Sequence, residues 1–146
     1  MTFHIFAVGK PKLSYVTTGL DEYLRRFPSS FEVNLHFLKA SHPEGEAKSF
    51  LEATPKMRRV LLDEKGKSYS SRAFAEQLQT WYEQHPLAIA FMIGSADGHA
   101  NSLRKETPHL ISLSTLTFPH EMALLLLSEQ LYRAHSILSR HPYHRD

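Results

Sequence analysis

The chain has 146 residues, 42% of them hydrophobic, which is enough for one good core and too little for two independent ones. It contains no cysteine, which excludes disulfides, Cys-ligated zinc and thiol chemistry. The formal net charge is +2, with 12 Lys or Arg against 8 Asp or Glu in residues 1–73, so the charge permits a polyanionic partner without indicating one.

Strand and helix patterns alternate along the first part of the chain. Residues 3–8 form a short apolar run that predicts a strand, and apolar side chains at helical spacing predict a helix over 15–27. Alternating apolar residues predict a second strand over 31–37. A short polar helix is expected from Pro43 to just before Pro55.

The middle of the chain continues the alternation. Residues 60–62 read as a third strand that runs into a turn over 63–67. Ser70 or Ser71 would then cap a helix that extends through Trp81.

The second half predicts the rest of an α/β fold. Residues 87–93 form an unbroken apolar run, typical of a strand buried on both faces of a parallel sheet. A final strand near 110–113 and a long helix over 119–139 follow. We therefore expect one domain over residues 1–146, with a mostly parallel sheet flanked by helices. The last helix is apolar over more than one stripe, which fits either a central core helix or a homodimer interface.

Two segments are candidate ligand-binding surfaces. Residues 94–98 are Gly-rich and follow the most buried strand, at the edge where open α/β sheets bind ligands, and glycine there lets the backbone approach a flat ring. An ordinary strand-to-helix turn capped by Asp97 fits this segment equally well. Residues 113–118 alternate hydroxyl and apolar side chains, so they form either a strand or a loop that contacts a base, with Leu116 and Phe118 as an apolar wall.

The last residues of the chain are rich in groups that exchange protons near neutral pH. Two histidines, a tyrosine and an arginine lie in residues 141–145. Metal binding is not indicated, because Pro142 interrupts the spacing of His141 and His144 and no carboxylate cluster accompanies them. The chain also lacks Gly-x-Ser-x-Gly, so a covalent hydrolase is not indicated either.

The location of the protein follows from what the sequence lacks. The apolar runs at residues 87–93 and 122–127 are both far shorter than the ~20 residues needed to span a bilayer. No basic region precedes the apolar N-terminus as it would in a signal peptide. We therefore expect a cytoplasmic protein without a membrane span.

Six motifs, in order and nearly from end to end, carry a resemblance to a known family. They are Ala7-Val8-Gly9-Lys10, Glu22-Tyr23-Leu24-Arg25-Arg26-Phe27, Ile93-Gly94 followed by Gly98, Leu116-Thr117-Phe118-Pro119-His120, Glu129-Gln130-Leu131-Tyr132-Arg133-Ala134 and Pro142-Tyr143-His144-Arg145. By these motifs the chain resembles the RlmH family, SPOUT-class methyltransferases that methylate N3 of a pseudouridine in large-subunit ribosomal RNA. The resemblance implies a homodimer, S-adenosylmethionine as cofactor, no metal, and a C-terminal trefoil knot that topology rules alone would not predict.

The resemblance also implies which residues form the site. Tyr143, His144 and Arg133 are the candidate catalytic residues, which would orient the base, handle the N3 proton and contact the RNA. The alternative is a tail that only closes over the cofactor while solvent takes the proton. The RNA-binding candidates are Lys10, Arg25, Arg26 and Arg145, and the cofactor-binding candidates are Leu62, Gly94, Leu113, Ser114, Thr115, Leu116, Thr117 and Phe118.

Three features depart from the family pattern. Ser95 stands where a second glycine is usual, Leu124 stands where an arginine is usual, and the segment between Phe37 and Leu51 is shorter. Two other functions therefore stay open: a non-catalytic RNA- or ribosome-binding dimer with the same fold, and a flavodoxin-like nucleotide-binding domain.

Overall fold

The structure is a computed structural model that describes residues 1–145. Five parallel strands form one sheet in the order β2-β1-β4-β3-β5, and helices cover both of its faces. The elements are β1 Thr2–Val8, α1 Ser14–Leu24, β2 Glu32–Leu38, α2 Pro43–Ala53, β3 Arg58–Ser68, α3 Ser71–Gln84, β4 Ile89–Ile93, α4 Asn101–Glu106, β5 His109–Ser112 and α5 His120–Leu138.

The core is divided between the two faces of the sheet. On one face α1, α3 and α5 cover alternate residues of the strands, including Phe3, Ile5 and Phe91, and α5 packs against both other helices. On the opposite face α2 and α4 cover Phe6 and Met92. The central strand β4 is buried along its whole length, as its unbroken apolar run predicts. The prediction of an α/β fold with a parallel sheet is confirmed, whereas the trefoil knot stays a prediction.

The third strand is longer than predicted. Residues 63–67, predicted as a turn, lie within β3, where the ladder to β5 shifts register between Leu62 and Lys67. Gly66 makes this possible, because a Cβ atom there would come within 2.6 Å of the backbone of Ile111. The turn-forming composition of this segment therefore produces a bulge in a paired strand.

Other boundaries also differ from the prediction. Helix α4 was not predicted, because its six residues contain a single buried side chain, Leu103, and so give no helical periodicity. Strand β4 begins at Ile89, since Leu87 is 42% exposed. Helix α1 ends at Leu24.

Helix α5 is joined to its surroundings at both ends. Near its start, Glu121 Oε1 accepts hydrogen bonds from the backbone N–H groups of Lys12 (2.5 Å) and Leu13 (3.1 Å), at the start of α1. At its end Arg140 adopts a left-handed conformation with φ 57°, and the N–H of His141 donates to the carbonyl of Ser136 at 2.8 Å. This turn ends α5 and leads into the C-terminal tail.

Candidate active site

A cavity of about 730 Å³ lies at the carboxyl edge of the sheet. It is bounded by the middle of β3, the loop after β4, the segment after β5 and the start of α5. Seven of the eight predicted cofactor residues line it, and Thr115 is the exception. The seven are Leu62, Gly94, Leu113, Ser114, Leu116, Thr117 and Phe118.

The segment after β5 is a loop whose hydroxyl groups shape its own backbone. The Ser112 hydroxyl donates to the carbonyl of Ser114 at 2.7 Å, and the N–H of Leu116 donates to the Ser114 hydroxyl at 3.0 Å. Of the two possibilities for residues 113–118, the loop is therefore correct and the strand is wrong. Leu113 and Phe118 provide apolar wall, and Leu116 is 70% exposed at the rim.

The loop of residues 94–98, which we call the cofactor loop after its predicted role, folds back on itself. The N–H of Gly98 donates to the carbonyl of Ser95 at 2.9 Å, and Gly98 has φ +75°. A Cβ atom at Gly94 would lie 3.2 Å from the Gly98 backbone and 3.3 Å from the ring of His99, so a side chain would crowd this turn. The loop does connect strand β4 to helix α4, but the N-cap of α4 is Ala100 and has no side-chain hydrogen bond, so Asp97 as its cap is wrong.

His99 lies beneath this loop with one ring nitrogen unpaired. Its Nε2 donates to the carbonyl of Leu62 at 2.7 Å, which leaves Nδ1 as an acceptor. Nδ1 is buried and has no hydrogen-bond partner within residues 1–145. Burial lowers the pKa of His99, although the Leu62 carbonyl and the charge of Asp63 oppose the shift. A neutral histidine therefore lines the cavity and joins β3 to the cofactor loop.

An ion pair forms another part of the cavity wall. Asp63 Oδ2 accepts from Arg104 Nε at 2.7 Å, and its Oδ1 accepts from the N–H of Lys65 at 2.9 Å. Burial on its own would raise the pKa of Asp63, but these hydrogen bonds outweigh it and hold the pKa below its usual range. Sequence reasoning missed Asp63, His99 and Arg104 as site residues. Asp63 directly follows Leu62 and His99 directly follows Gly98, so their positions beside predicted cofactor residues could have indicated them. Arg104 lies on the short helix α4.

The three predicted catalytic residues lie together in a second cluster. Arg133 Nη1 donates to His144 Nδ1 at 3.1 Å, and its guanidinium carbon lies 4.9 Å from the centroid of the Tyr143 ring. Glu129, which the sequence analysis left without a role, joins them: its Oε1 accepts from Arg133 Nε (3.0 Å) and Nη2 (2.5 Å) and from the Tyr143 hydroxyl (3.1 Å). We call Glu129, Arg133, Tyr143 and His144 the tail cluster.

The hydrogen bonds of the tail cluster fix the protonation of its members. Burial, a hydrogen bond with Tyr23 and the charge of Glu129 raise the pKa of Tyr143 well above its usual range. The hydrogen bond to Glu129 raises the pKa of Arg133. Because Arg133 donates to His144 Nδ1, the proton of a neutral His144 lies on Nε2. The single O–H of Tyr143 is therefore engaged by Glu129, and both Tyr143 and His144 contact the guanidinium of Arg133.

The cavity and the tail cluster lie at different ends of α5. His120, at the start of the helix, lines the cavity, and Arg133 follows 13 residues later. At 1.5 Å per residue this places them about 20 Å apart along the helix axis. No member of the tail cluster lines the cavity among the described residues. A single chain thus does not bring the predicted catalytic residues to the predicted cofactor residues.

The predicted RNA-binding residues also lie in separate parts of the structure. Lys10 is exposed and follows β1, whose carboxyl end lies at the same edge of the sheet as the cavity. Arg25 and Arg26 lie at the opposite end of α1 and both pair with Glu22, Arg26 Nη2 at 2.6 Å from its Oε1. Arg145 is exposed near the tail cluster.

Residues 1–145 show neither a metal-binding cluster nor a membrane-spanning helix. No group of three or more His, Asp or Glu side chains is arranged to bind a metal ion in the part of the chain that the structure describes. No helix over the same residues has the length and apolar character needed to cross a membrane. Leu124, where the resemblance leads us to expect an arginine, is 2% exposed and belongs to the core between the helices and the sheet.

Comparisons with known proteins place these features in a family context. The family described as "Predicted SPOUT methyltransferase" matches residues 1–144. Two proteins named "Ribosomal RNA large subunit methyltransferase H" are similar over 99% of this chain and 99% of their own length. The one from Deinococcus radiodurans is 39% identical over 145 residues. The one from Burkholderia mallei (strain SAVP1) is 38% identical over 156 residues. Among solved structures, "a probable methylase family protein from Haemophilus influenzae Rd KW20" aligns with a TM-score of 0.62 at 14% identity, over 99% of this chain and 70% of that one.

Proposed function

The chain belongs to the SPOUT methyltransferase family, and from that premise we propose that it transfers a methyl group from S-adenosylmethionine to N3 of a pseudouridine in large-subunit ribosomal RNA. The resemblance to the RlmH family that the six motifs predict is confirmed by the two relatives. The observation that carries the proposal is the cavity at the carboxyl edge of the sheet, where seven residues from three separate segments meet.

The cavity has the features that an adenosyl cofactor needs. Leu113 and Phe118 offer apolar surface for a flat ring, and Gly94 allows the backbone to approach it. His99 Nδ1 is a buried acceptor without a partner in residues 1–145, which suits a ligand that carries amino and hydroxyl donors. When bound, S-adenosylmethionine supplies an electrophilic methyl group, so the chain has only to orient the base and stabilise its deprotonated form.

The tail cluster suits the second of these tasks. Deprotonation of N3 leaves a negative charge that spreads onto the carbonyl oxygens of the uracil ring. Arg133 is a fixed cation that would stabilise that anion, and Tyr143 and His144, which contact its guanidinium, would hold it in place. The proton would pass to water, because neither Tyr143 nor His144 is poised to accept it in this arrangement. The proposal thus adopts the alternative in which solvent takes the proton, and proton transfer to Tyr143 or His144 stays a prediction.

A homodimer would bring the two halves of the site together. Arg133 lies about 15 Å along α5 from Ala123, the last cavity residue on that helix, and no member of the tail cluster lines the cavity among the described residues. The tail cluster of one chain would therefore act at the cavity of another. Partly exposed apolar side chains near the cavity, Leu116, Phe118, Met122 and Leu126, offer surface for such contact. In this arrangement Lys10 of one chain and Arg145 of its partner would contact the RNA backbone near the same site.

The target would be an unpaired base of ribosomal RNA, which is the usual object of sequence-specific RNA recognition. An enzyme of this kind would work in the cytoplasm, with the ribosome or its precursor as partner. Calorimetry with S-adenosylhomocysteine tests cofactor binding, and mapping of methylated pseudouridines in ribosomal RNA from cells with and without the gene tests the reaction. Absence of cofactor binding would refute the proposal and favour a non-catalytic RNA-binding dimer.

A further inference from the structure

Glu46 is a buried carboxylate at some distance in sequence from the cofactor loop. It lies on α2 and is 1% exposed, although an ionised carboxylate is costly to bury unless hydrogen bonds compensate it. Its Oε1 accepts from the N–H of Ser41 at 3.2 Å, just before the start of α2. Its Oε2 accepts from the hydroxyl of Ser95 at 3.2 Å, 49 residues away in the chain.

Ser95 is the cofactor-loop residue that contacts Glu46. It follows Gly94 directly and lines the cavity. Its carbonyl accepts the N–H of Gly98 and its hydroxyl donates to Glu46, so both its backbone and its side chain are engaged. Glycine at this position would supply no hydroxyl and would leave the backbone freer than serine does.

We propose that Glu46 and Ser95 form a positioning pair that holds the cofactor loop in the shape that binds the adenosyl cofactor. The inference rests on the proposed function, since it concerns the same cavity. The pair acts before binding: the tether to α2 restricts the loop, so less conformational entropy is lost when the cofactor orders it. Neither residue is required to contact the reacting atoms.

A purely structural role for Glu46 makes a different prediction. Its bond to the Ser41 N–H stabilises the start of α2, and loss of that bond would lower the stability of the fold without changing the affinity of folded protein. The positioning role instead predicts a change in cofactor affinity when only the Ser95 hydroxyl is removed, because that change leaves the bond to Ser41 in place.

The test measures the affinity of the full chain for S-adenosylhomocysteine by calorimetry. Ser95→Ala should weaken binding about tenfold, the effect of losing a hydrogen bond to a charged group. Ser95→Thr, which keeps the hydroxyl, should bind within about twofold of wild type. The control Ser49→Ala removes an exposed α2 hydroxyl that donates to Gly45 O at 3.1 Å, and it should leave affinity unchanged.

A double-mutant cycle then tests whether the two residues act together. In a Glu46→Gln background, Ser95→Ala should cost no more than about threefold, because the bond that remains to be lost is neutral. Glu52→Gln, an exposed carboxylate on the same helix, is the control. With ribosomal substrate, Ser95→Ala should raise the KM for S-adenosylmethionine and leave kcat at saturating cofactor unchanged.

The outcomes separate this inference from the proposed function. Wild-type protein that binds no S-adenosylhomocysteine would refute the proposed function. Wild-type binding with equal affinity for Ser95→Ala would overturn the positioning pair alone, as would an equal cost of Ser95→Ala in the wild-type and Glu46→Gln backgrounds. A lower melting temperature for Ser95→Ala with unchanged affinity would assign the pair a structural role and overturn the inference.

Discussion

Replacing Glu129 by Gln tests whether this carboxylate holds the C-terminal tail in place. Glu129 Oε1 accepts two hydrogen bonds from Arg133 and one from Tyr143, and the side chains of the Glu129–Arg133 pair are 15% and 25% exposed. The substitution removes the negative charge that both partners contact while preserving the shape of the side chain. We therefore expect the tail to dock less firmly against α5.

The expected magnitude follows from the burial of the contacts. A hydrogen bond to a charged group contributes about 1.5–3 kcal/mol, and partial exposure with a retained amide contact reduces this to about 1–2 kcal/mol. Such a loss shifts the equilibrium between docked and undocked tail by about 5–30-fold. Hydrogen exchange at the His141 N–H, which donates to the Ser136 carbonyl, should accelerate by up to the same factor.

Activity should follow the docking of the tail. Glu129→Gln should lower kcat for ribosomal RNA and leave the affinity for S-adenosylhomocysteine unchanged, since no tail residue lines the cavity of its own chain among the described residues. Glu83→Gln is the matched control, because Glu83 is an exposed carboxylate on α3 that accepts a hydrogen bond from Gln79. Unchanged hydrogen exchange and unchanged kcat in Glu129→Gln would refute this role for Glu129.

Three further predictions concern binding and stability. Lys10→Ala should weaken ribosomal RNA binding and lower the slope of the log binding constant against log salt concentration by about 1. Arg25→Ala should have a smaller effect on both quantities, because Arg25 already pairs with Glu22. Filter binding at several salt concentrations would measure them. Burial lowers the pKa of His99 below 6.5, so as the pH drops the unfolded chain takes up a proton before the folded chain does. The free energy of unfolding should therefore decrease below about pH 6.5. Urea titrations should show a smaller decrease for His99→Gln, and an equal decrease would contradict a buried, neutral His99. Arg140→Gly should raise the melting temperature by about 2–4 °C, because glycine adopts φ 57° without strain, and an unchanged or lower value would contradict this.

Periodicity predicted most of the fold because the strongly patterned elements are also the buried ones. The unbroken run before Gly94 became the fully buried β4, and the apolar last helix became α5 at the centre of one layer. Residues 63–67 were misread because their polar composition is that of a turn, whereas the pairing with β5 that extends β3 is a tertiary contact. Helix α4 is too short to show a period.

The candidate site was predictable only where a motif marks it. Family motifs indicated both Gly94 and Phe118, and the structure brings these residues to one cavity. His99 and Glu46 could not be found in this way, because their roles depend on contacts with Leu62 and Ser95 that are distant in sequence. The separation of the tail cluster from the cavity was equally hidden, since spacing along a chain does not say which end of a helix meets a ligand.

A mixed-dimer experiment tests the central claim, that a cavity of one chain works with the tail cluster of another. One variant carries Gly94→Val, whose side chain would crowd the cofactor loop, and the other carries Arg133→Ala, which removes the cation of the tail cluster. Each variant alone should be inactive in single-turnover methylation of ribosomal RNA.

An equal mixture of the two variants, exchanged by mild denaturation and refolding, gives the decisive measurement. Half of the dimers should then be mixed, and each mixed dimer should contain one site with an intact cavity and an intact partner tail, so activity should recover to about a quarter of wild type. If each chain used its own tail, every site would carry one of the two lesions. A refolded wild-type control that is active beside an inactive mixture would contradict the account.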